Sequence, residues 1–138
     1  MLRSIGAIVA GFIFIGALSS GTDFLVMRAF PAAFNDGGTT SDVRILMLMS
    51  AYVALFAIAG CYLTARLAPD HPMRHALILG ALGLIFSLIV TASLWGTAPA
   101  WFHVVNLALV MPYAWIGGRL RERQLAGSGG PLSPAAVP

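Results

Sequence analysis

Four long apolar stretches that contain no Lys, Arg or Glu constrain this chain more than any other feature of its sequence. They cover about residues 5–27, 45–64, 76–95 and 102–118. Crossing a hydrocarbon core of ~30 Å takes about 20 helical residues, so three stretches suffice and the fourth suffices with its flanks. Because the bilayer core offers no water to backbone groups, such stretches must be helical. The sequence therefore predicts an all-α fold, a four-helix transmembrane bundle over residues 1–123.

The composition agrees with a membrane protein and excludes several other classes. Hydrophobic residues make up 59% of the chain and charged residues only 9%, against about 25% charged in ordinary soluble domains. A disordered chain, a nucleic-acid binder and a soluble enzyme are all excluded by this balance. The eight basic residues are all Arg, and they flank the apolar stretches instead of forming a patch. We therefore expect the lipid bilayer as a partner, and no nucleic acid.

The connectors between the stretches carry residues that end and begin helices. Residues 35–38 (Asn-Asp-Gly-Gly) are typical of a turn. Asp42 suits the N-cap of the second helix, and Pro72 suits the first turn of the third. Connectors this short make neighbouring helices antiparallel. Residues 124–138 are mostly Gly, Ser, Pro and Ala, which predicts a disordered cytoplasmic tail.

The distribution of arginine near the helix ends predicts the orientation. One side carries only Arg28 and Arg44, whereas the other carries six arginines, Arg3, Arg66, Arg74, Arg119, Arg121 and Arg123. The side richer in arginine is expected in the cytoplasm, with both termini (N-in/C-in). Residues 17–19 also imitate a signal-peptide cleavage site. Against cleavage, apolar residues resume at 24–27 and complete a full-length span.

Polar side chains are concentrated in the half of each span that this orientation places outside. His103 and Asn106 are three residues apart and share one helix face. Facing the bundle interior, they could meet Asp23 and Thr91. An intramembrane carboxylate is costly and usually faces the interior. These four residues, Asp23, Thr91, His103 and Asn106, are the predicted ligand or ion site.

A structural interpretation of the same residues competes with this site. Asp23 lies about one turn from the end of its span, where it could pair with Arg28, Arg44 or His103 among the lipid headgroups. His103 and Asn106 would then only join helices by hydrogen bonds. Pro112, which follows them, leaves the carbonyl of Ala108 without its helical donor and permits a kink.

Metal, cofactor and catalytic motifs are weak in this sequence. Asp70, His71 and His75 have spacing that could hold a transition metal, but Pro72 puts His71 at or before the helix start, so the two rings need not share a face. Cys61 is the only cysteine. We find no nucleophile–base pair, phosphate loop or twin carboxylates. The expectation is no metal, no cofactor and no enzymatic activity.

Small residues four apart are frequent, above all in the first span. In lipid such pairs allow helices to approach closely. Packing within one bundle is the simpler interpretation, and a homodimer seam is the alternative. The pairs in the first span are Gly6 with Ala10, Ala7 with Gly11, Gly16 with Ser20, and Ala17 with Gly21.

Three segments resemble a group of small four-span bacterial membrane proteins that have no established activity. The segments are residues 1–11 (MLRSIGAIVAG), 60–80 (GCYLTARLAPDHPMRHALILG) and 111–120 (MPYAWIGGRL). The resemblance implies a four-helix bundle and a multi-pass location in a bacterial inner membrane. It brings no catalytic residues with it. Small multidrug exporters share the size, but their mid-membrane Glu in the first helix has no counterpart here.

Two functional hypotheses follow from these observations. The first is a non-enzymatic accessory, structural or partner-subunit bundle, because small-residue packing is abundant. The alternative is a small transporter or ligand-binding module with an outward-facing polar cavity around Asp23, His103 and Asn106. The sequence leaves open a homo-oligomer or a larger membrane complex.

Overall fold

The protein is all-α, as its sequence predicts. The computed structural model describes residues 2–68 and 70–128, and this part of the chain contains no strand. Each of four helices is long and apolar enough to cross a membrane. A short 3-10 helix lies in the first connector, at Pro31–Ala33. The four helices are α1 (Leu2–Ala29), α2 (Val43–Leu67), α3 (Pro72–Ser93) and α4 (Ala100–Ser128).

The helix starts confirm two local predictions. The side chain of Asp42 accepts a 2.8 Å hydrogen bond from the backbone N–H of Arg44, so it caps α2. Pro72 is the first residue of α3, where its missing N–H costs nothing. The predicted turn before α2 is also present. There Gly38 has a φ of +71°, which favours glycine, and the side chain of Asn35 bonds to Thr39 across the turn.

The last helix is longer than the sequence predicts at its C-terminal end. α4 continues through residues 124–128, the first five residues of the expected disordered tail. Two contacts support this extension. Arg119 pairs with Glu122 one turn later, and the Tyr62 hydroxyl donates a 2.7 Å hydrogen bond to Gln124. Residues 129–138 of the expected tail lie outside the described residues.

The helices form an up-down bundle with α2 in contact with all three others. Neighbours in sequence are antiparallel: the Thr64 hydroxyl of α2 bonds to the carbonyl of Ala7, near the start of α1, whereas Tyr52 reaches Asp23, further along α1. α4 packs on both α2 and α3. α1 packs on α2 and more thinly on α3. The arginines at one end define the arginine-rich end, and Trp95 and Trp101 define the opposite, tryptophan end.

The half of the bundle nearest the arginine-rich end is closely packed through small residues. A Cβ placed on Gly11 would lie 1.9 Å from Thr64 Oγ1 and 2.9 Å from the carbonyl oxygen of Gly60. A Cβ on Gly80 would lie 2.4 Å from that of Ala114. The buried core here consists of Cys61, Ala65, Ala76, Leu79 and Ala114. Large side chains are nearly absent, so the backbones approach closely.

In the half near the tryptophan end, the buried apolar cluster lies between α1 and α2. Val26, Ile45 and Tyr52 form a second buried cluster between α1 and α2. On the outside of the bundle, large apolar side chains are exposed along every helix, among them Ile13, Leu55 and Ile89. An apolar surface this extensive needs an apolar surrounding, which agrees with four membrane-spanning helices.

Candidate ligand cavity

Asp23 is bound to a tyrosine of the neighbouring helix. The Tyr52 hydroxyl of α2 donates a hydrogen bond to Asp23 Oδ1 on α1. The hydrogen bond lies next to the apolar cluster that contains Tyr52, and it joins the two helices near the tryptophan end. Arg28 instead lies over the ring of Phe24, 5.0 Å from its centroid. The partner of Asp23 is therefore Tyr52 and none of the three that the sequence suggested.

Asn106 also reaches α2, from the opposite side. Its side-chain N–H₂ donates to Ser50 Oγ at 3.1 Å and to the carbonyl of Phe102, one turn earlier in α4, at 2.8 Å. In this half α2 thus donates a hydrogen bond to α1 and accepts one from α4. α3 donates and accepts no side-chain bond to another helix here, within the part that the structure describes. Its hydroxyl groups, Ser87 and Thr91, are left without such a partner.

His103 is buried but makes no hydrogen bond to any described residue. Its side chain is 7% exposed, and its Nε2 is fully buried without a partner among residues 2–68 and 70–128. The ring is held by aromatic contacts instead. Trp95 stacks on it with centroids 5.4 Å apart, and Phe102 meets it edge-on at 5.8 Å. Buried polar atoms normally have a hydrogen-bond partner, so an unpaired Nε2 needs an explanation.

A cavity of about 240 Å³ opens between α3 and α4 beside this ring. Its wall is mostly apolar, with aliphatic side chains from both helices. The polar and aromatic residues that line it are Phe86, Ser87, Thr91, Phe102, His103 and Asn106. We call it the α3–α4 cavity. Among the described residues, the side-chain hydrogen bonds of this half join α1, α2 and α4, and none joins α3 to α4.

Three of the four predicted site residues meet at this cavity. Thr91, His103 and Asn106 all line it, as their depth and helical spacing suggest. Asp23 is not among its lining residues and is bound to Tyr52. The polar groups therefore form two separate sets, and the carboxylate lies outside the set that borders the cavity.

Sequence reasoning missed the partners that divide the polar residues in this way. Tyr52, Ser50 and Ser87 share the depth of the predicted site, which identifies them as candidates. Depth alone does not say which way a side chain points around its helix. The stacking of Trp95 on His103 joins a connector residue to a helix and has no spacing pattern to reveal it.

The histidines at the other end of the bundle are arranged differently. His75 Nδ1 lies 3.2 Å from the carbonyl oxygen of His71, within the first turn of α3. His71 has a left-handed backbone with φ of 46°. Among the described residues, no group of three or more His, Cys, Asp or Glu side chains could hold a metal ion.

Comparison of the chain with protein-family models, with curated proteins and with solved structures gives no match. What the fold defines is an all-helical bundle of four helices, each long and apolar enough to cross a membrane.

Proposed function

We propose that this protein is a multi-pass membrane bundle that binds a small amphiphile in the α3–α4 cavity. The observation that carries the proposal is His103, which lines the cavity and whose Nε2 is buried without a partner among the described residues. Leaving such an atom unpaired costs about 1–3 kcal/mol. A ligand that reaches Nε2 from the cavity, by a small rotation of the imidazole, recovers that cost.

The proposal narrows the predicted polar site. Asp23 joins α1 to α2 and has a structural role in this proposal, because one of its carboxylate oxygens accepts a hydrogen bond from Tyr52. Thr91, His103 and Asn106 keep the role of ligand contacts. Since the wall is mostly apolar, the ligand is an apolar molecule with one polar part and not an inorganic ion.

The same proposal includes a location and an orientation. Six arginines at one end against two at the other support insertion with both termini in the cytoplasm, in a bacterial inner membrane. The cavity then opens in the outer leaflet. Reporter fusions after Thr39 and after Arg123 test this: we expect an external reporter at the first position and a cytoplasmic one at the second. An external reporter after Arg123 would contradict the orientation.

Cysteine labelling tests whether the cavity is open. In a Cys61→Ala background in lipid nanodiscs, N-ethylmaleimide should react with Thr91→Cys, on the cavity wall. Adding Ser87→Phe should fill the cavity and suppress that reaction. Ser93→Phe is the matched control, because Ser93 lies on the same helix, is exposed and bonds only to the carbonyl of Ile89. If Thr91→Cys stays unreactive, or reacts equally when Ser87 is Phe, the cavity is closed and the proposal fails.

A second candidate function is that of an accessory or partner subunit, supported by the outer face of α1. Gly11 lies against α2, but a Cβ on Gly16 or Gly21 would meet nothing within 4 Å. With Ala17 and Ser20 these residues leave an exposed small-residue face on which another membrane helix could pack. The mass of the protein in nanodiscs tests this. A particle heavier than one chain, returned to one chain by Gly16→Leu, would support a homo-oligomer.

A further inference from the structure

We propose that the amphiphile of the α3–α4 cavity is a ring of quinone type, with acceptor oxygens on opposite sides of the ring and an apolar tail. This inference rests on the proposed function and names the ligand class of the same site. Three features of the cavity support it: its size, the flat groups around His103, and the donors on both facing helices.

The size of the cavity fits one substituted ring. An apolar cavity of about 150 Å³ holds benzene, so the 240 Å³ between α3 and α4 holds a six-membered ring with several small substituents. It is too small for the glycerol backbone and two chains of a phospholipid. A ring with a single chain is the amphiphile that this volume accepts.

The walls favour a flat headgroup. Phe86 and Phe102 line the cavity from α3 and α4. The imidazole of His103 is fixed by Trp95, whose plane lies within 23° of it. Aromatic surfaces bind planar rings by offset stacking or edge contacts. A saturated or branched headgroup would lose this contribution.

Side chains that carry hydrogen-bond donors line the cavity from both facing helices. On α4, His103 can carry its proton on Nε2, which has no partner in the described chain. On α3, the hydroxyls of Ser87 and Thr91 lie one turn apart and bond to no other described side chain. A ring with an acceptor oxygen at each side satisfies both helices at once. A ligand with a single oxygen would leave one side unpaired.

A second groove provides a place for the tail. An almost entirely apolar groove of about 370 Å³ lies between α1 and α3, lined by Ile8, Phe12 and Ile85 among others. Phe86 lines both this groove and the α3–α4 cavity. A chain attached to a ring in the cavity therefore reaches the groove by passing one side chain. Once there it remains in an apolar surrounding for about two helical turns of α3, from Leu82 to Ile89.

The test uses a benzoquinone that carries a decyl chain. The protein is placed in phosphatidylcholine nanodiscs, with Trp101→Phe and Trp115→Phe so that Trp95 alone is fluorescent. The quinone is added at increasing mole fraction, and quenching of Trp95 is recorded. We expect a saturable phase. His103→Phe should raise the apparent Kd about five- to tenfold, the equivalent of one hydrogen bond. Ser87→Ala should raise it less, and Ser93→Ala should leave it unchanged.

Decylbenzene, which has the same chain but no oxygen, separates the ligand class from the cavity itself. At equal mole fraction it should not displace the quinone. If it displaces the quinone fully, or if His103→Phe binds as the parent does, the quinone class is wrong although the cavity binds amphiphiles. Quenching that rises without saturation, while Thr91→Cys still reacts with N-ethylmaleimide, also refutes the quinone class. If Thr91→Cys does not react with N-ethylmaleimide at all, the proposed function is refuted as well.

Discussion

Replacing His103 by phenylalanine should make the empty protein more stable, the opposite of what most substitutions of a buried residue do. The imidazole is 7% exposed, and its Nε2 has no partner in the described chain. Phenylalanine removes the unpaired atom and keeps an aromatic ring, larger by one atom, against Trp95. His103→Phe therefore measures mainly the free-energy cost of the unpaired nitrogen, because the aromatic contact with Trp95 is retained.

The expected gain follows from two opposing contributions. An unsatisfied buried polar group costs about 1–3 kcal/mol, which the substitution recovers. The phenyl ring is larger by one ring atom, and with the cavity beside it to take up the difference we expect repacking to cost about 1 kcal/mol. We expect His103→Phe to raise the free energy of unfolding by about 1 kcal/mol. Asn106→Leu, one turn away on α4, should instead lower it by about 1–3 kcal/mol, because it strands the Ser50 hydroxyl.

The assay is reversible unfolding by sodium dodecyl sulfate in mixed micelles, followed by circular dichroism, without added ligand. His103→Phe and Asn106→Leu change neighbouring positions on one face of α4. They should shift the midpoint of unfolding in opposite directions. A loss of more than about 1 kcal/mol in His103→Phe would refute the reasoning. That result would mean that the imidazole has a hydrogen-bond partner in the folded protein, and that no unpaired donor awaits a ligand.

Three further predictions concern the rest of the bundle. Gly11→Ala should destabilise the protein by about 1–3 kcal/mol, because the added Cβ overlaps Thr64 Oγ1. Gly16→Ala is the control, and it should cost no stability because its Cβ meets nothing within 4 Å. Equal losses of stability in the two variants would contradict the close packing at Gly11. Tyr52→Phe should cost about 1.5–3 kcal/mol by breaking the bond to the Asp23 carboxylate, and a neutral result by the same assay would show that the bond is not made. Deletion of residues 131–138 should leave membrane insertion and melting temperature unchanged, and a clear fall in melting temperature would show that this segment docks.

The sequence predicts the helices of this protein well because their cause is local. A run of apolar residues in a bilayer has to form a helix, and Asp42 and Pro72 act on the residues beside them. Even the disagreement at the end of α4 has a tertiary cause, since Gln124 is bonded to Tyr62 of another helix. Ends that depend on such contacts cannot be predicted from composition.

The candidate site could be predicted by depth but not by pairing. Counting from the span ends gathers Asp23, Thr91, His103 and Asn106 at one level of the bundle, and three of them do line one cavity. Which side chains then meet depends on how far each helix is rotated about its axis. For Asp23 that rotation favours Tyr52.

The close contacts near the arginine-rich end also determine how this protein can evolve. At Gly11, Gly60 and Gly80 a single added methyl group collides with a neighbouring helix, so a lineage can change these positions only together with the residue opposite. The exposed apolar positions contact no neighbouring helix closely, so they accept a wider range of apolar side chains. Sequence drift should therefore accumulate on the outside, and the helix-contact glycines should change rarely and in pairs. Among distant homologues, a few coupled small-residue positions would identify this bundle better than overall identity does.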